Sequence, residues 1–219
     1  MIQSEAPIYK DQTISITELA HARVSEILSE GDVAIDATVG NGHDSLWLAQ
    51  SVGSKGLVFG FEIQQDALMV ARNRLFQAGV MRQVQVYQTS HANIQSQIPK
   101  SYHGKVKGIV FNLGYLPGGD KHITTETEST IAALSQAYVM LVEGGILSIA
   151  CYPGHHEGID ETNHVKQWVE SLNPKETITH HYIPEGTKRR PPELYLVLKQ
   201  SSEKRNLTEK LKKLFCLSS

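Results

Sequence analysis

Two glycines and two acidic residues near the ends of the first two predicted strands could bind a small charged ligand. Asp36 lies shortly before Gly40 in "DATVGNGHD", and glycine lets the backbone approach a ligand closely. Glu62 ends the second predicted strand, "GLVFGFEI". It follows Gly42 by about 20 residues, the spacing at which an acid accepts the hydroxyls of a ribose. The pattern indicates a nucleoside site, unless Asp36 only caps the turn and Glu62 is a surface acid.

The charges in this turn favour a cationic ligand over a dinucleotide. The fingerprint GxGxxG would need glycine or alanine at position 45, where Ser45 stands. A carboxylate at Asp36 would repel a pyrophosphate but attract an ammonium or a sulfonium group. S-adenosylmethionine (SAM) has a ribose and both cationic groups, and it has no phosphate. The sequence therefore predicts SAM as the cofactor rather than NAD.

Other predicted cofactor contacts also follow strands, because ligands of open parallel sheets bind beyond the carboxyl ends of the strands. Ser90 and His91, after the third strand, stand where they could border the adenine. Asp44 begins the next helix, where it is either a ligand contact or an acid favoured by the helix dipole. The predicted cofactor-binding residues are Asp36, Thr38, Gly40, Asn41, Gly42, Asp44, Glu62, Ile63, Ser90, His91 and Asn112.

The turn after the fourth strand, "FNLGYLPGGDK", carries residues suited to methyl transfer onto nitrogen. An aliphatic amine with a pKa of about 10.4 must lose a proton before its lone pair can attack. We expect the Asn112 carbonyl to orient the amine and Asp120, or a nearby histidine, to accept its proton. Tyr115 would pack against the base or the methyl group. These three residues are the predicted catalytic residues, against the alternative of an ordinary Gly/Pro turn.

Substrate contacts are predicted in three further loops. "CYPGHHEG" follows the fifth strand, and its adjacent histidines and glutamate do not have metal-ligand spacing, so no metal is expected. "TKRRPP" is a basic loop that either faces RNA or is simply solvated. The predicted substrate-binding residues are Tyr115, Lys121, Tyr152, His155, Lys188, Arg189 and Arg190.

Alternating strands and helices position these residues in a single α/β domain over residues 1–219. Strands separated by helices predict βαβ units and a parallel sheet. A helix over 17–30 precedes the first strand, and a long helix over 125–145 ends at a Gly-Gly pair. The last two strands have no helix between them, which predicts a hairpin with one antiparallel strand at the far edge. Residues 200–219 are predicted to form a helical tail with basic residues.

Composition limits the function classes. The 219 residues are 40% hydrophobic with a net charge of −2, so contacts with RNA would have to come from local patches. No apolar stretch is long enough for a membrane span, and the N-terminus lacks the pattern of a secretory signal. Two cysteines, Cys151 and Cys216, lack metal-ligand spacing, which predicts a reduced, cytoplasmic protein. Cys151 is predicted to be dispensable, because methyl transfer needs no covalent intermediate.

Five segments in this order carry a resemblance: "DATVGNGHD", "GFEI", "NLGYLPGGDK", "CYPGHHEG" and "RRPPELYLVLK". From about 19 to 199, the chain resembles the putative rRNA methylase family of class I SAM-dependent methyltransferases. "NLGY" is also similar to the (Asp/Asn)-Pro-Pro-(Tyr/Phe) motif of amino-group methyltransferases, with Leu-Gly in place of Pro-Pro. The resemblance implies a three-layer α/β/α Rossmann-like fold whose seven-stranded, mostly parallel sheet has its last strand inserted antiparallel.

The resemblance also implies a substrate, since members of the family act as tRNA 5-aminomethyl-2-thiouridine methyltransferases. The expected reaction is SAM-dependent methylation of the aminomethyl group on the wobble uridine, with the tRNA anticodon arm as partner. A homodimer is expected, because one small domain offers little surface for that arm. The alternatives are a methyltransferase for rRNA or a small amine, an NAD-linked oxidoreductase, and a non-catalytic RNA-binding module.

Overall fold

The structure is a computed structural model that describes residues 15–114, 125–154, 156–184 and 190–201, with only the backbone at 156–157. Within these ranges the strands form one seven-stranded sheet in the order β3-β2-β1-β4-β5-β7-β6. The strands are β1 (Val33–Asp36), β2 (Leu57–Glu62), β3 (Val84–Gln88), β4 (Val106–Leu113), β5 (Leu141–Cys151), β6 (Thr177–Tyr182) and β7 (Glu193–Lys199). The strand order reverses between β1 and β4, which creates a crevice at their carboxyl ends.

Helices cover both faces of the sheet. They are α1 (Ile16–Ser25), α2 (His43–Val52), α3 (Gln65–Gln77), α4 (Ile94–Gln97), α5 (Thr127–Met140) and α6 (His156–Ser171). One buried cluster contains residues of α1, α2 and α3, and the other contains residues of α4, α5 and α6. The predicted three-layer α/β/α architecture is therefore confirmed. In the part of the chain described, no helix combines the length and the apolar character that crossing a bilayer requires.

Side chains of the central strands alternate between the two clusters, which is why these strands are apolar on both faces. Ala34 of β1 packs with the first cluster and its neighbour Ile35 with the second. In β4, Val110 packs with the first cluster, while Ile109 and Phe111 pack with the second. Successive strand residues point to opposite faces, so a strand covered on both sides needs a continuous apolar run.

The antiparallel strand does not lie at the edge, so that prediction was wrong. β7 pairs antiparallel with both β5 and β6, and β6 forms the edge. The reason is in the side chains: residues 194–197 of β7 are buried on both faces, as an interior strand requires. Most residues of β6 are only partly buried, which an edge strand tolerates. The inserted antiparallel strand implied by the family resemblance is confirmed.

Two helices are shorter than predicted. α5 ends at Met140 rather than at the Gly-Gly pair, because Leu141 already has extended backbone angles and begins β5. Gly144 has a φ of 75°, which a continuing right-handed helix could not contain. α1 begins at a capping box formed by Ser15 and Glu18 and ends at Ser25. The predicted tail over 200–219 lies outside the described residues beyond position 201.

Candidate functional site

A cavity of about 840 Å³ opens at the carboxyl ends of the central strands. Loops that follow β1, β2, β3, β4 and β5 all contribute to its wall, because these strand ends meet at one edge of the sheet. Most of the described residues that the sequence singled out line this one cavity. They are Thr38, Gly40, Asn41, Asp44, Glu62, Ile63, Ser90, His91, Asn112, Tyr152 and Arg190.

Glu62 is held on the cavity wall by two backbone groups. Its Oε2 atom accepts a hydrogen bond from the Gly40 amide at 2.8 Å, and its Oε1 atom accepts one from the Gln64 amide at 2.7 Å. Each carboxylate oxygen can accept more than one hydrogen bond, so the group can still accept two ligand hydroxyls. Glu62 thus has the fixed position and the spare lone pairs that a ribose contact needs.

Gly42 packs against Ala71 of α3 and does not line the cavity. Its φ is 79°, and a Cβ atom at this position would lie 2.8 Å from the Cβ atom of Ala71 in α3. Only glycine allows both that conformation and that close approach. Gly42, a predicted cofactor contact, thus packs α2 against α3 and is not among the residues that line the cavity.

Asp36 is fully buried and does not line the cavity. Its Oδ2 atom accepts a hydrogen bond from the Ser45 hydroxyl at 2.6 Å, and its Oδ1 atom accepts one from the Thr38 amide at 3.1 Å. Burial, with the charges of Asp44 and Glu62 added, raises the pKa of Asp36 to about 7. Asp36, a predicted cofactor contact, is thus not among the residues that line the cavity, and its hydrogen bonds are those of an aspartate that caps the turn.

Asp44 supplies the negative charge that the sequence analysis assigned to Asp36. Asp44 lines the cavity. Its Oδ1 atom lies 2.9 Å from Nε2 of His21, and its Oδ2 atom accepts a hydrogen bond of 2.7 Å from Nδ2 of Asn112. Burial alone would raise the pKa of Asp44, but the hydrogen bonds from His21 and Asn112 outweigh it and lower that pKa. Asp44 is therefore ionised at neutral pH and accepts hydrogen bonds without donating any.

Asn112 joins the turn after β1 to the turn after β4. Its backbone amide donates to the Thr38 hydroxyl oxygen at 2.8 Å, and its side-chain amide donates to Asp44. An ionised carboxylate only accepts, so the nitrogen of the Asn112 amide must face Asp44. The carbonyl oxygen of that amide is then left as an acceptor on a residue that lines the cavity.

His91 is a neutral acceptor rather than a base. Its Nδ1 atom lies 3.3 Å from the Ala37 carbonyl oxygen, which can only accept, so Nδ1 carries the hydrogen. Burial of the ring, which is 7% exposed, lowers the pKa of His91 to about 4 despite the contact with Ala37. Its Nε2 atom is buried and has no hydrogen-bond partner among the described residues. His91 is thus unsuited to hold a proton taken from a substrate at neutral pH.

Several residues of the wall and of its support were not predicted from the sequence. Thr17 and His21 lie one turn apart on α1, and Thr17 lines the cavity and contacts the Tyr152 hydroxyl at 3.4 Å. Their spacing places both on one face of α1, which is the signal that could have indicated them. Glu126 and Ser129, at the start of α5, also line the cavity.

Several predicted residues lie outside the described ranges: Tyr115, Asp120, Lys121, His155, Lys188 and Arg189. Arg190 is described, is exposed and lines the cavity. No group of three or more His, Cys, Asp or Glu side chains that could hold a metal ion is found in the part of the chain that the structure describes.

Comparison with known proteins gives one family and one fold. The family described as "Putative rRNA methylase" matches residues 58–198. The chloroplastic tRNA (mnm(5)s(2)U34)-methyltransferase of Arabidopsis thaliana is 35% identical over 164 residues, which cover 71% of this chain. The same alignment covers 59% of the Arabidopsis protein, so the chain spans less than two thirds of that relative.

Two solved structures are similar over nearly their whole length. A putative rRNA-methylase from Clostridium thermocellum has a TM-score of 0.82 at 34% identity. The match covers 86% of this chain and 100% of the Clostridium chain. A putative methyltransferase from Streptococcus mutans, solved in complex with SAH, has a TM-score of 0.76 at 30% identity. The match covers 86% of this chain and 99% of the Streptococcus chain. The fold is therefore that of the SAM-dependent methyltransferases.

Proposed function

The chain belongs to the putative rRNA methylase family, and from this premise we propose that it is a SAM-dependent methyltransferase that acts on RNA. Its substrate in this proposal is the aminomethyl group of 5-aminomethyl-2-thiouridine at the wobble position of tRNA. One observation carries the proposal: an acid suited to a ribose, Glu62, and an amide acceptor suited to an amine, Asn112, line the same cavity. The name of the Arabidopsis relative supports the choice of tRNA.

The residues of the cavity fit SAM. A volume of about 840 Å³ is within the range of small-molecule sites. Glu62 would accept the ribose hydroxyls, and the ionised Asp44 would favour the cationic groups of the ligand. Bound SAM supplies a methyl group activated by its sulfonium. NAD fits less well, because its pyrophosphate would meet the charges of Asp44 and Glu62.

Asn112 would orient the amine. Its carbonyl oxygen would accept one N–H of the substrate and so fix the direction of the nitrogen lone pair, which is the kind of orientation that accelerates group transfer. The negative charge of Asp44 would draw a protonated amine into the cavity and would also favour the protonated state. A separate proton acceptor is therefore needed, and Asp120 stays the predicted one. Tyr115 stays predicted to pack beside the base.

The RNA would be contacted by side chains at the cavity wall. Arg190 can pair with a phosphate, and Tyr152 offers an aromatic ring that can stack on a base. Both line the cavity that holds Asn112. Binding of the anticodon arm, a homodimer and a cytoplasmic location stay predictions.

Mass spectrometry of nucleosides tests the proposal. The full chain is incubated with SAM and with tRNA from cells that accumulate 5-aminomethyl-2-thiouridine. We expect this nucleoside to be converted to its methylaminomethyl form by the wild type. Asn112→Ala should convert it much more slowly. Asn173→Ala, which changes the same residue type in an exposed turn, should behave as the wild type.

Parallel incubations with rRNA and with small aliphatic amines separate the alternatives. Methylation of rRNA or of a small amine, with the tRNA nucleoside unchanged, would contradict the proposed substrate. Binding of SAM without methylation of any RNA would indicate a non-catalytic RNA-binding module. Binding of NAD but not SAM would indicate an oxidoreductase and would overturn the cofactor as well.

A further inference from the structure

We propose that His21 is a positioning residue that, through Asp44, holds the side-chain amide of Asn112 in one of its two orientations. The inference rests on the proposed function, because the orientation matters for the amine that Asn112 would hold. It adds a residue outside the segment that the family matches, since His21 lies in α1 and the match begins at residue 58.

The three side chains form a continuous hydrogen-bonded chain from α1 to the end of β4. Nε2 of His21 lies 2.9 Å from Oδ1 of Asp44, and Oδ2 of Asp44 lies 2.7 Å from Nδ2 of Asn112. The His21 ring stacks on the Trp47 ring with centroids 3.9 Å apart and planes 9° from parallel. The stacking fixes the plane of the imidazole, so its Nε2 atom has a defined direction.

The protonation state of Asp44 decides which end of the Asn112 amide faces the cavity. When Asp44 is ionised it can only accept, so the amide presents its nitrogen to Asp44 and leaves its carbonyl oxygen for a substrate N–H. A protonated Asp44 could instead donate to that carbonyl. The amide could then turn over, and its own N–H groups would face the N–H groups of the amine. Two donors cannot bond, so the amine would lose its orienting contact.

His21 keeps Asp44 ionised in a place where burial opposes ionisation. The Asp44 side chain is only 12% exposed. The groups around it are His21 on α1, His43 on the same helix, Asn112 on β4 and Asp36 on β1. Asp36 has the same sign of charge when ionised and opposes the charge of Asp44. The hydrogen bond from His21 is therefore a main source of stabilisation for the carboxylate.

The position of α1 supports a role in the site rather than in packing alone. Thr17 and His21 share one face of the helix, and Thr17 lines the cavity and contacts Tyr152. The neighbouring face of α1 supplies Ile16, Ala20 and Val24 to the core. One face of the helix thus anchors it, and the adjacent face brings polar groups to the cavity.

Two substitutions at position 21 separate the hydrogen bond from the ring. His21→Phe keeps a flat ring that can stack on Trp47 but removes the donor, whereas His21→Gln keeps a donor. The matched control is His164→Phe on α6, where the histidine is exposed and contacts the Asp160 carbonyl oxygen at 2.9 Å. Carbon-13 NMR of the aspartate carboxyl groups, with Asp44 assigned from Asp44→Asn, follows the titration of Asp44.

We expect the pKa of Asp44 to rise in His21→Phe and to stay at the wild-type value in His164→Phe. In methylation assays, His21→Phe should lower kcat by up to roughly tenfold, the effect of losing about one hydrogen bond, at the acidic end of the pH range, where Asp44 of the variant is protonated. The loss of kcat should shrink as pH rises, because Asp44 then ionises even without the hydrogen bond from His21. His21→Gln should restore most of the rate.

An unchanged titration of Asp44 in His21→Phe would overturn the inference. A loss of kcat that is equal at every pH, and that His21→Gln does not restore, would also overturn it in favour of a merely structural role. The NMR result is independent of catalysis. Should the wild type fail to methylate the aminomethyl nucleoside, the proposed function fails, while the titration still decides whether His21 controls Asp44.

Discussion

Nδ2 of Asn112 lies 2.7 Å from Oδ2 of Asp44, and this contact joins the two halves of the cavity. Asp44 begins the helix that follows the glycine turn, and Asn112 lies near the end of β4. The backbone of Asn112 is fixed as well, by its hydrogen bond to the Thr38 hydroxyl at 2.8 Å. Asn112, the residue proposed to hold the substrate, is thus positioned by Thr38 and Asp44 of the turn after β1.

Asn112→Ala should slow methyl transfer while leaving the cofactor site in place. The substitution removes the acceptor proposed for the amine, and loss of one such oriented group typically costs about 100- to 1,000-fold in rate. Glu62, the proposed cofactor contact, is held by hydrogen bonds from Gly40 and Gln64, which the substitution does not alter. Single-turnover methylation and titration calorimetry with SAM measure the two effects. A change in Kd as large as the change in rate would place Asn112 in the cofactor site instead.

Glu62→Gln should weaken SAM binding. The glutamine keeps the size of the side chain but removes its charge and one acceptor, and hydrogen bonds to charged groups contribute about 1.5–3 kcal/mol. We therefore expect Kd to rise by roughly 10- to 150-fold. The control is Glu26→Gln, because Glu26 is exposed and its ion pair with Arg23 is remote from the cavity wall. Equal affinities of the wild type and Glu62→Gln would exclude the proposed ribose contact.

The strands and helices, and the site residues that lie at strand ends, could be predicted from the sequence because they depend on local patterns. Alternation of apolar residues, glycine turns and strand ends indicates where chains turn and which residues meet at the carboxyl edge of a sheet. Glu62 and Asn112 were found in this way, and both line the cavity. Ser45, where the dinucleotide motif would need glycine or alanine, donates a hydrogen bond from its hydroxyl to Asp36 at 2.6 Å.

The remaining features depend on contacts between distant segments. The charge of Asp36 could be located along the chain, but its inward direction follows from Ser45 and from the burial of the turn. The role of Asp44 follows from His21, 23 residues earlier, and from Asn112, 68 residues later. The insertion of β7 between β5 and β6 likewise depends on pairing between strands that are not consecutive in the chain. None of these follows from the spacing of residues within one element.

The stability difference between the wild type and Asp36→Asn should depend on pH. The folded-state pKa of Asp36 is about 7, above the usual value of 3.8, so the folded protein binds a proton that the unfolded chain has released. The wild type therefore loses stability as pH rises between these values, by at most about 1.4 kcal/mol per pH unit, and loses no more above them. Asparagine cannot ionise, so the stability of the Asp36→Asn variant does not change with pH for this reason.

Urea unfolding of both proteins between pH 5 and pH 8 measures that difference. We expect the free energy of unfolding of the wild type, relative to Asp36→Asn, to fall from pH 5 to about pH 7 and then to level off. A difference that is constant over this range would mean that Asp36 is ionised throughout. It would then be able to act as the fixed negative charge that the sequence analysis assigned to it.

Cys151→Ala should retain methylation activity. The thiol is buried at the end of β5, and burial, with Glu161 and Glu193 nearby, raises its pKa well above the usual value. A thiol that stays protonated at neutral pH is a poor nucleophile. We expect a rate within about twofold of the wild type and a loss of roughly 1 kcal/mol in the free energy of unfolding from the small cavity. Abolished activity in a folded variant would indicate a covalent role for Cys151.

Gly42→Ala should destabilise the fold more than Gly79→Ala. Both glycines have positive φ, 79° and 71°, so both substitutions carry the strain of that conformation, about 1–2 kcal/mol. The two differ in their surroundings. A Cβ atom at position 42 would lie 2.8 Å from the Cβ atom of Ala71, whereas nothing lies within 4 Å of one at position 79. Steric overlap should therefore add about 1–3 kcal/mol at position 42 alone.

Urea unfolding of the two single variants measures this difference, and a double-mutant cycle identifies its source. Ala71→Gly removes the atom that the new methyl group would meet, at a cost of about 1 kcal/mol in helix propensity. The double variant Gly42→Ala with Ala71→Gly should be more stable than the sum of the two single losses predicts. Additive losses would show that the strain at Gly42 is in its backbone, and that the contact between α2 and α3 does not require glycine there.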